Sequence, residues 1–163
     1  ISAAAAAGKT LILDADALTV LATDAKLRAA VQPCAKILTP HEGEYRRLAE
    51  VLRLDSTLGK RERAQNLAQC LQAVVVLKGG DTVISDGVKT LVTHPPHWLA
   101  TAGTGDVLAG IIAALVGQGM EPFDVAAAGV WLHSEAAREH GHGMIAEDVI
   151  ASLPALLQQL SGQ

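Results

Sequence analysis

Residues 63–82 read RAQNLAQCLQAVVVLKGGDT and place a helical pattern, a buried strand and a glycine turn in succession. Apolar residues at helical spacing predict a helix over residues 63–72, with an inward face made of Ala64, Leu67, Ala68 and Leu71. Residues 73–77 are rich in valine and predict a strand that is buried on both faces. A helix that leads into a buried strand is the repeating unit of an α/β fold.

The same alternation continues on both sides of this segment. Short apolar runs that predict further strands lie at residues 10–13, 35–38, 82–85 and 90–92. Helical spacing predicts further helices at residues 17–31, 106–118, 122–140 and 147–160. The last two short strands flank an Asp86-Gly87 turn and predict a hairpin, and Pro154 predicts a kink or break in the last helix. The order of elements predicts an α/β domain, or part of one, with a mainly parallel sheet flanked by helices.

Composition and charge exclude several classes of protein. The chain has 163 residues, of which 50% are hydrophobic and 18% are charged, so it can fold around a core and is not disordered. Its net charge of -4 leaves no basic footprint for nucleic acid. Cys34 and Cys70 lack C-x-x-C spacing, which favours free thiols and a cytoplasmic protein. The apolar run 107–116 is too short to span a bilayer and predicts a buried core helix, so no membrane partner is expected.

The strongest functional signal is the segment ATAGTGDVLAGII at residues 100–112, in which a Gly-Thr-Gly turn leads into an apolar helix. Exposed N–H groups of Gly103, Thr104 and Gly105, together with the positive end of the helix, predict an anion site for a phosphate or a developing oxyanion. Asp106 follows directly, and a carboxylate beside a phosphate can take the proton of a substrate hydroxyl. The same residues also fit a plain glycine turn in which Asp106 is an ordinary helix cap.

A second signal is the segment Lys78-Gly79-Gly80-Asp81-Thr82, which follows the predicted strand. Glycines let a ligand approach the backbone closely, while Lys78 and Thr82 offer a cation and a hydroxyl. The segment lacks the G-x-x-x-x-G-K-[ST] spacing of a Walker loop. A tight turn with a solvated lysine is the alternative interpretation.

A third signal is the segment TPHEGE at residues 39–44. Thr39 and Glu42 have the spacing of a capping box, which predicts a helix that starts at this point. His41 would then lie at the helix start, where the dipole favours a neutral imidazole that can hydrogen-bond a ligand. Glu44 could hold Mg²⁺ through a water molecule. A helix start with capping residues and nothing more is the alternative.

The three segments together resemble the family of dehydratases that repair hydrated NAD(P)H, which belongs to the ribokinase-like superfamily. The family motifs are Thr-Pro-His-x-Gly-Glu, Lys-Gly-x-x-Thr and Ala-Thr-x-Gly-Thr-Gly-Asp-Val-Leu-x-Gly, and they match residues 39–44, 78–82 and 100–110 in the same order. Residues 14–18 and 144–148 match the family as well. Before the third motif the family often has Gly-Asn-Pro-Gly-Met, whereas this chain has Pro-Pro-His-Trp-Leu at residues 95–99, so we expect the substrate-side loop to differ.

The resemblance implies a ribokinase-like fold and a nucleotide-dependent reaction. ADP or ATP, with Mg²⁺, would phosphorylate the ring hydroxyl of the S epimer of hydrated NADH or NADPH, and loss of phosphate would restore NAD(P)H. The residues implied in binding the adenine nucleotide are Lys78, Gly79, Gly80, Asp81, Thr82 and Gly105. The residues implied around the hydrated nicotinamide are His41 and Asp106, with Asp106 as the catalytic base and Gly103, Thr104 and Gly105 as the anion hole. Glu44 is implied in binding Mg²⁺, because His41-x-x-Glu44 resembles the Asn-x-x-Glu magnesium motif of the superfamily.

The resemblance also implies that residues 1–163 are the C-terminal portion of a single dehydratase domain, whose glycine-rich opening strand has no counterpart here. The epimerase domain that is fused to many relatives would then lie upstream or on another chain. We therefore expect the strand at 10–13 to leave an open sheet edge, which a homo-oligomer could cover. Two alternatives stay open: a kinase of the same superfamily that acts on a vitamin precursor or sugar-like alcohol, and a non-catalytic nucleotide-binding fragment.

Overall fold

The structure of this chain is a computed structural model that describes residues 1–162, so Gln163, the last residue of the expected domain, lies outside the described part. The chain divides into two compact units, Ile1–Thr93 and His94–Gln163. The elements of the first unit are α1 (Ser2–Ala6), β1 (Leu11–Leu13), α2 (Asp16–Thr23), α3 (Ala25–Val31), β2 (Ala35–Leu38), α4 (Glu42–Leu52), α5 (Lys60–Leu71), β3 (Val74–Leu77), β4 (Thr82–Ser85) and β5 (Thr90–Thr93). The elements of the second unit are a 3₁₀ turn (His97–Leu99), α6 (Thr104–Gly117), α7 (Pro122–His140) and α8 (Ala146–Ser161).

The five strands form one sheet in the order β1-β2-β3-β4-β5. β1 pairs with β2 and β2 pairs with β3 in parallel, with Leu13 opposite Leu38 and Leu38 opposite Val75. β4 pairs antiparallel with β3 and with β5, and β4 and β5 form the predicted hairpin. The α/β fold is therefore confirmed, in the form of a mixed sheet whose antiparallel part is this hairpin.

The core of the first unit explains the composition of its central strand. Every residue of β3 is buried, as the run of valines predicted. α5 packs its predicted face against the sheet, and the four buried residues of that face are Ala64, Leu67, Ala68 and Leu71. α4 adds Tyr45 and Leu48, both fully buried.

The second unit is built from three helices that pack against one another. α7 carries most of its buried residues, and α8 adds Val149 and Leu156. The prediction that residues 107–116 form a helix buried on nearly all sides is wrong, because α6 buries Ile111 and Ile112 but exposes Ala113 and Ala114. Alanine exposes little apolar area, so a sequence can be apolar throughout and still cover only one face of a helix.

Two predicted helix boundaries are also wrong. The helix predicted at 17–31 is interrupted by Asp24, which adopts an extended conformation and caps α3 by accepting a hydrogen bond from the Leu27 N–H at 2.9 Å. The helix expected to start with Thr39 and Glu42 as a capping box begins at Glu42 instead, with His41 as its cap. In both cases a polar side chain accepts a hydrogen bond from a nearby backbone N–H and fixes where the helix starts. The spacing of apolar residues carries no information about such a bond.

The C-terminal helix is continuous. α8 includes Pro154 in its interior, where the sequence predicted a kink or break. A proline at this position removes one backbone hydrogen bond, and the apolar contacts of Val149 and Leu156 on either side of it hold the helix in place. No helix in the described part of the chain has both the length and the apolar character needed to cross a bilayer.

The contact between α6 and α7 provides a test of the packing. A Cβ at Gly129 would lie 2.7 Å from Cγ1 of Ile112, which is fully buried. We expect Gly129→Ala to lower the free energy of unfolding by about 1–3 kcal/mol, because the core must shift to admit the methyl group. Gly110→Ala is the control, since a methyl group there meets no other element within 4 Å. Urea unfolding measures both variants, and equal stability of the two would contradict the packing.

Candidate functional site

The carboxyl ends of the three parallel strands lie side by side in the first unit. The Thr39 N–H donates to the Leu13 carbonyl at 3.0 Å, and the Lys78 N–H donates to the Pro40 carbonyl at 2.8 Å. These bonds continue the pairing just beyond the strands. The loops that follow β1, β2 and β3 therefore begin at one edge of the sheet, which is where α/β proteins bind ligands.

Lys78 is held by the carboxylate of Asp14, which follows β1. Its Nζ donates to Oδ1 of Asp14 at 2.8 Å, and the two side chains keep 21% and 14% of their exposure. The residue after Asp14 is Ala15, whose φ of 47° lies in a region that non-glycine residues seldom adopt. Two aspartates directly after an apolar strand were the signal, because carboxylates at a buried edge need a cation or a ligand.

The turn between β3 and β4 exposes its backbone to solvent at two glycines. Gly79 and Gly80 are exposed, and a methyl group on Gly80 would meet no atom within 4 Å. Thr82 is buried, and its hydroxyl donates to the Gly79 carbonyl at 3.4 Å. The Thr82 side chain therefore stabilises the turn from inside, while the outer side of the turn is open at Gly80.

His41 caps α4 through its imidazole ring. Its Nδ1 accepts hydrogen bonds from the N–H groups of Gly43 at 2.9 Å and Glu44 at 3.3 Å. A ring nitrogen accepts a hydrogen bond only when it carries no proton, so this cap requires an Nδ1 without a proton. The ring stays 55% exposed, which leaves the imidazole accessible to a ligand.

Glu44 completes this capping box. It is buried, and its Oε2 accepts a hydrogen bond from the His41 N–H at 2.7 Å. The second oxygen, Oε1, lies 3.5 Å from Nε2 of His41. In the described residues there is no cluster of three or more His, Cys, Asp or Glu side chains that could hold a metal ion. One oxygen of Glu44 is therefore committed to the cap, and Oε1 is left for other partners.

Glu42 links the first turn of α4 to the first turn of α5. Arg63 donates to it twice, from Nη1 to Oε2 at 2.8 Å and from Nη2 to Oε1 at 3.1 Å, and Nζ of Lys60 lies 3.5 Å from Oε1. Partial burial alone would raise the pKa of Glu42, but Arg63 and Lys60 outweigh this effect and hold the pKa below its ordinary value. Sequence analysis missed this network, because Glu42 and Arg63 are 21 residues apart and only the fold brings them together.

In the second unit, glycine and threonine shape the start of α6. Gly103 is the N-cap residue and has a φ of 84°, in the left-handed region that favours glycine. Thr104 is buried, and its hydroxyl lies 2.7 Å from the Leu99 carbonyl oxygen and 2.8 Å from that of Thr101. The Thr104 side chain is therefore turned inward, and any contribution it makes to an anion site comes from its backbone.

The first turn of α6 carries unused donors next to a carboxylate. The first helical bond runs from the Val107 N–H to the Gly103 carbonyl at 3.2 Å, so the N–H groups of Gly105 and Asp106 have no helical acceptor. Asp106 is exposed, and its carboxylate makes no hydrogen bond or ion pair within residues 1–162. It occupies the third helical position, and no side chain caps this helix. The alternative in which Asp106 is an ordinary helix cap is therefore wrong.

Comparison with models of known protein families identifies the family of this chain. The family model described as NAD(P)H-hydrate dehydratase matches residues 1–155. The chain belongs to the NAD(P)H-hydrate dehydratase family. It is 42% identical over 156 residues to the bifunctional NAD(P)H-hydrate repair enzyme Nnr of Moorella thermoacetica, which is 91% of this chain and 29% of that relative. It is 41% identical over 132 residues to the ADP-dependent (S)-NAD(P)H-hydrate dehydratase of Neisseria meningitidis, which is 79% of this chain and 45% of that relative.

Solved structures confirm the fold of the family. The chain matches a ribokinase-like superfamily protein of Enterococcus faecalis with a TM-score of 0.79 and 26% identity, over 92% of this chain and 52% of that one. It matches the ADP/ATP-dependent NAD(P)H-hydrate dehydratase of Bacillus subtilis, co-crystallised with ATP and Mg²⁺, with a TM-score of 0.67 and 31% identity, over 77% of this chain and 48% of that one. The ribokinase-like fold is thus confirmed, and the chain spans less than half the length of the two curated dehydratase relatives.

Two variants of His41 distinguish its effect on the stability of this dehydratase-family chain from its effect on ligand binding. We expect His41→Ala to lower the free energy of unfolding by about 0.5–2 kcal/mol, because two N–H groups lose their acceptor. His41→Asn should keep the stability, since Asn caps helices well, but it removes the imidazole. If His41 contacts the substrate, both variants lose substrate affinity while only His41→Ala loses stability. Thermal unfolding and a binding titration on the same samples test this, and parental affinity in His41→Asn would remove His41 from the binding site.

Proposed function

We propose that this chain carries the dehydratase activity of its family, the ADP- or ATP-dependent dehydration of the S epimer of hydrated NADH or NADPH. The observation that carries the proposal is the start of α6, where the exposed carboxylate of Asp106 lies beside the unused N–H groups of Gly105 and Asp106. Phosphoryl transfer to a hydroxyl needs both a base and donors for the negative charge. The names of the relatives from Moorella and Neisseria support the choice of substrate.

The proposed reaction has two steps. In the first, Asp106 takes the proton of the ring hydroxyl while the hydroxyl oxygen bonds to the terminal phosphorus, and the nucleotide leaves with the electrons of the broken P–O bond. The N–H groups of Gly105 and Asp106 stabilise the charge on the transferring group. In the second step the ring C–O bond breaks and phosphate leaves, and loss of a proton from the adjacent carbon restores the double bond of the reduced nicotinamide.

The nucleotide is assigned to the turn between β3 and β4, and the family motif adds Gly105 to this assignment. The open backbone at Gly80 suits close approach of a phosphate, and Lys78 supplies a cation that Asp14 orients. Asp81 is exposed at the end of the turn. Thr82 contributes by stabilising the turn through its bond to the Gly79 carbonyl. The dehydratase of Bacillus subtilis that was co-crystallised with ATP supports an adenine nucleotide as the phosphoryl donor.

The family motifs assign His41 and Asp106 to the hydrated nicotinamide. A neutral imidazole can donate a hydrogen bond without placing a positive charge beside the iminium-like ring that develops as phosphate leaves. Mg²⁺ would enter with the nucleotide, and when bound it neutralises phosphate charge. Glu44 is the residue that would hold it, through water, from the one carboxylate oxygen outside the capping bond.

The wider assignment follows from the same family. We propose that residues 1–163 are the C-terminal portion of one dehydratase domain, and that an epimerase activity is supplied by a separate or upstream domain. The bifunctional name of the Moorella relative supports the second point. Two unpaired thiols, Cys34 and Cys70, support a cytoplasmic location, where thiols stay reduced.

One assay tests the proposal and separates it from the kinase alternative. Hydrated NADH is incubated with the protein and ADP or ATP, and the absorbance band of the reduced nicotinamide is followed together with free phosphate. We expect absorbance and phosphate to rise in equal molar amounts, and only when nucleotide is present. No recovery of absorbance with hydrated NADH, together with a phosphorylated product when a vitamin precursor or sugar-like alcohol replaces it, would identify a kinase instead.

The role of Asp106 is tested by Asp106→Asn. We expect the variant to fold and to bind nucleotide as the parent does, because Asp106 is exposed and makes no contact that stabilises α6. Turnover should fall by roughly 10²–10⁴-fold, since the amide cannot accept the proton. The rate of absorbance recovery measures the effect. Turnover close to that of the parent would show that another group is the base.

The role of Lys78 is tested by nucleotide affinity. We expect Lys78→Ala to weaken ADP binding by about 1–3 kcal/mol, because a charge-assisted hydrogen bond to phosphate is lost. The variant also leaves the carboxylate of Asp14 without its cation, so the control is Lys78→Ala combined with Asp14→Asn. Calorimetry should give the same weakened affinity for both. Recovery of parental affinity in the double variant would mean that the unpaired Asp14, and not the loss of Lys78, had weakened binding.

A further inference from the structure

Lys60 reaches the nucleotide-binding turn from the start of α5. Its Nζ donates to the Lys78 carbonyl at 3.0 Å and also to the Asp81 carbonyl. The third neighbour of the ammonium is Oε1 of Glu42 at 3.5 Å. An ammonium has three donors, and two of them are bonded to carbonyls of the turn, while Glu42 lies at ion-pair distance. Lys60 therefore binds the two ends of the turn.

The ammonium of Lys60 is set in a largely buried position. Its side chain keeps 19% of its exposure. Burial lowers the pKa of Lys60, and the nearby carboxylate of Glu42 opposes this effect. Glu42 is in turn held by two hydrogen bonds from Arg63. A buried charge with this many partners keeps its position, because each lost partner would leave an unsatisfied group.

The two glycines of the turn have different neighbours. A methyl group on Gly79 would overlap the ammonium of Lys60, whereas one on Gly80 would meet no atom within 4 Å. Gly79 is therefore required for the approach of Lys60, and Gly80 faces open space. The nearest atom that a methyl group on Gly79 would displace is the end of a flexible side chain, so Gly79→Ala should move Lys60. Gly79 has a φ of 158°, so the same change also strains the backbone of the turn.

We propose that Lys60 is a positioning residue, which fixes the conformation of the turn formed by residues 78–81 so that its outer backbone can receive the nucleotide phosphates. The proposal rests on the proposed function in one respect, namely that this turn binds nucleotide. Through Glu42, the same ammonium also connects the turn to the first turn of α4, next to His41.

The test compares four single variants of the chain. Lys60→Ala removes the ammonium, Gly79→Ala displaces it, Lys60→Arg restores a cation, and Arg61→Ala removes a neighbouring exposed charge as a control. Calorimetry measures ADP affinity, and ¹⁵N amide shifts report the turn without nucleotide. We expect ADP affinity to fall by roughly tenfold or more in Lys60→Ala, as for a lost hydrogen bond to a charged group. Lys60→Arg should recover most of this loss, and Arg61→Ala should behave as the parent.

The ADP affinity of a double variant tests whether Lys60 and Gly79 act through the same contact. We expect Lys60→Ala combined with Gly79→Ala to weaken ADP binding by less than the sum of the two single losses, because both changes remove the same interaction. The amides of Gly80 and Asp81 should shift in the nucleotide-free Lys60→Ala and Gly79→Ala variants. Weakened ADP binding with unchanged amide shifts would mean that Lys60 contacts the nucleotide directly, which overturns a positioning role.

The same experiment separates this inference from the proposed function. If the parent binds no ADP, the assignment of the turn to nucleotide fails, and the amide shifts still show whether Lys60 fixes the turn. Parental ADP affinity in Lys60→Ala overturns the inference while it leaves the proposed function intact.

Discussion

Parallel pairing of β1, β2 and β3 is the constraint on which the first unit depends. Parallel strands must enter from the same side, so their carboxyl ends lie at a common edge, and two backbone bonds beyond the strands fix how the following loops begin there. Three separate segments of sequence, which follow residues 13, 38 and 77, thereby become neighbours. The side chains at this edge form ion pairs, Asp14 with Lys78 and Glu42 with Lys60 and Arg63.

Charge pairing at this edge explains how ionic groups are tolerated beside a core of valine and leucine. Lys78, Lys60, Glu42 and Arg63 each have a partner of opposite sign, and the buried Glu44 accepts a backbone N–H, which offsets the cost of removing these charges from water. The lowered pKa of Glu42 is one consequence, because Arg63 and Lys60 favour its charged form. Asp106 differs, since it is exposed and has no partner within the described residues. A carboxylate that makes no hydrogen bond or ion pair in the described part of the fold is the kind of group that a catalytic role can use.

Local patterns predicted the elements well, and long-range contacts were the part that they could not predict. The valines of β3, the apolar face of α5 and the hairpin around Gly87 each follow from spacing within a short window, and each is confirmed. The capping function of His41 was missed because Thr39 and Glu42 have equally good spacing, and only the backbone geometry separates the two alternatives. Lys60 carried no local signal, because its partners at the turn are 18 and 21 residues away. The roles of the site residues toward ligands stay predictions.

The glycine turn after β3 is proposed to bind the phosphates of an adenine nucleotide. A titration of the ¹⁵N-labelled chain with ADP, followed by amide chemical shifts, tests this binding. We expect saturable shifts of Gly79, Gly80 and Asp81 at a common dissociation constant, with inorganic phosphate alone producing much weaker effects. Saturable binding that leaves these three amides unshifted, with changes confined to other parts of the chain, would overturn the assignment.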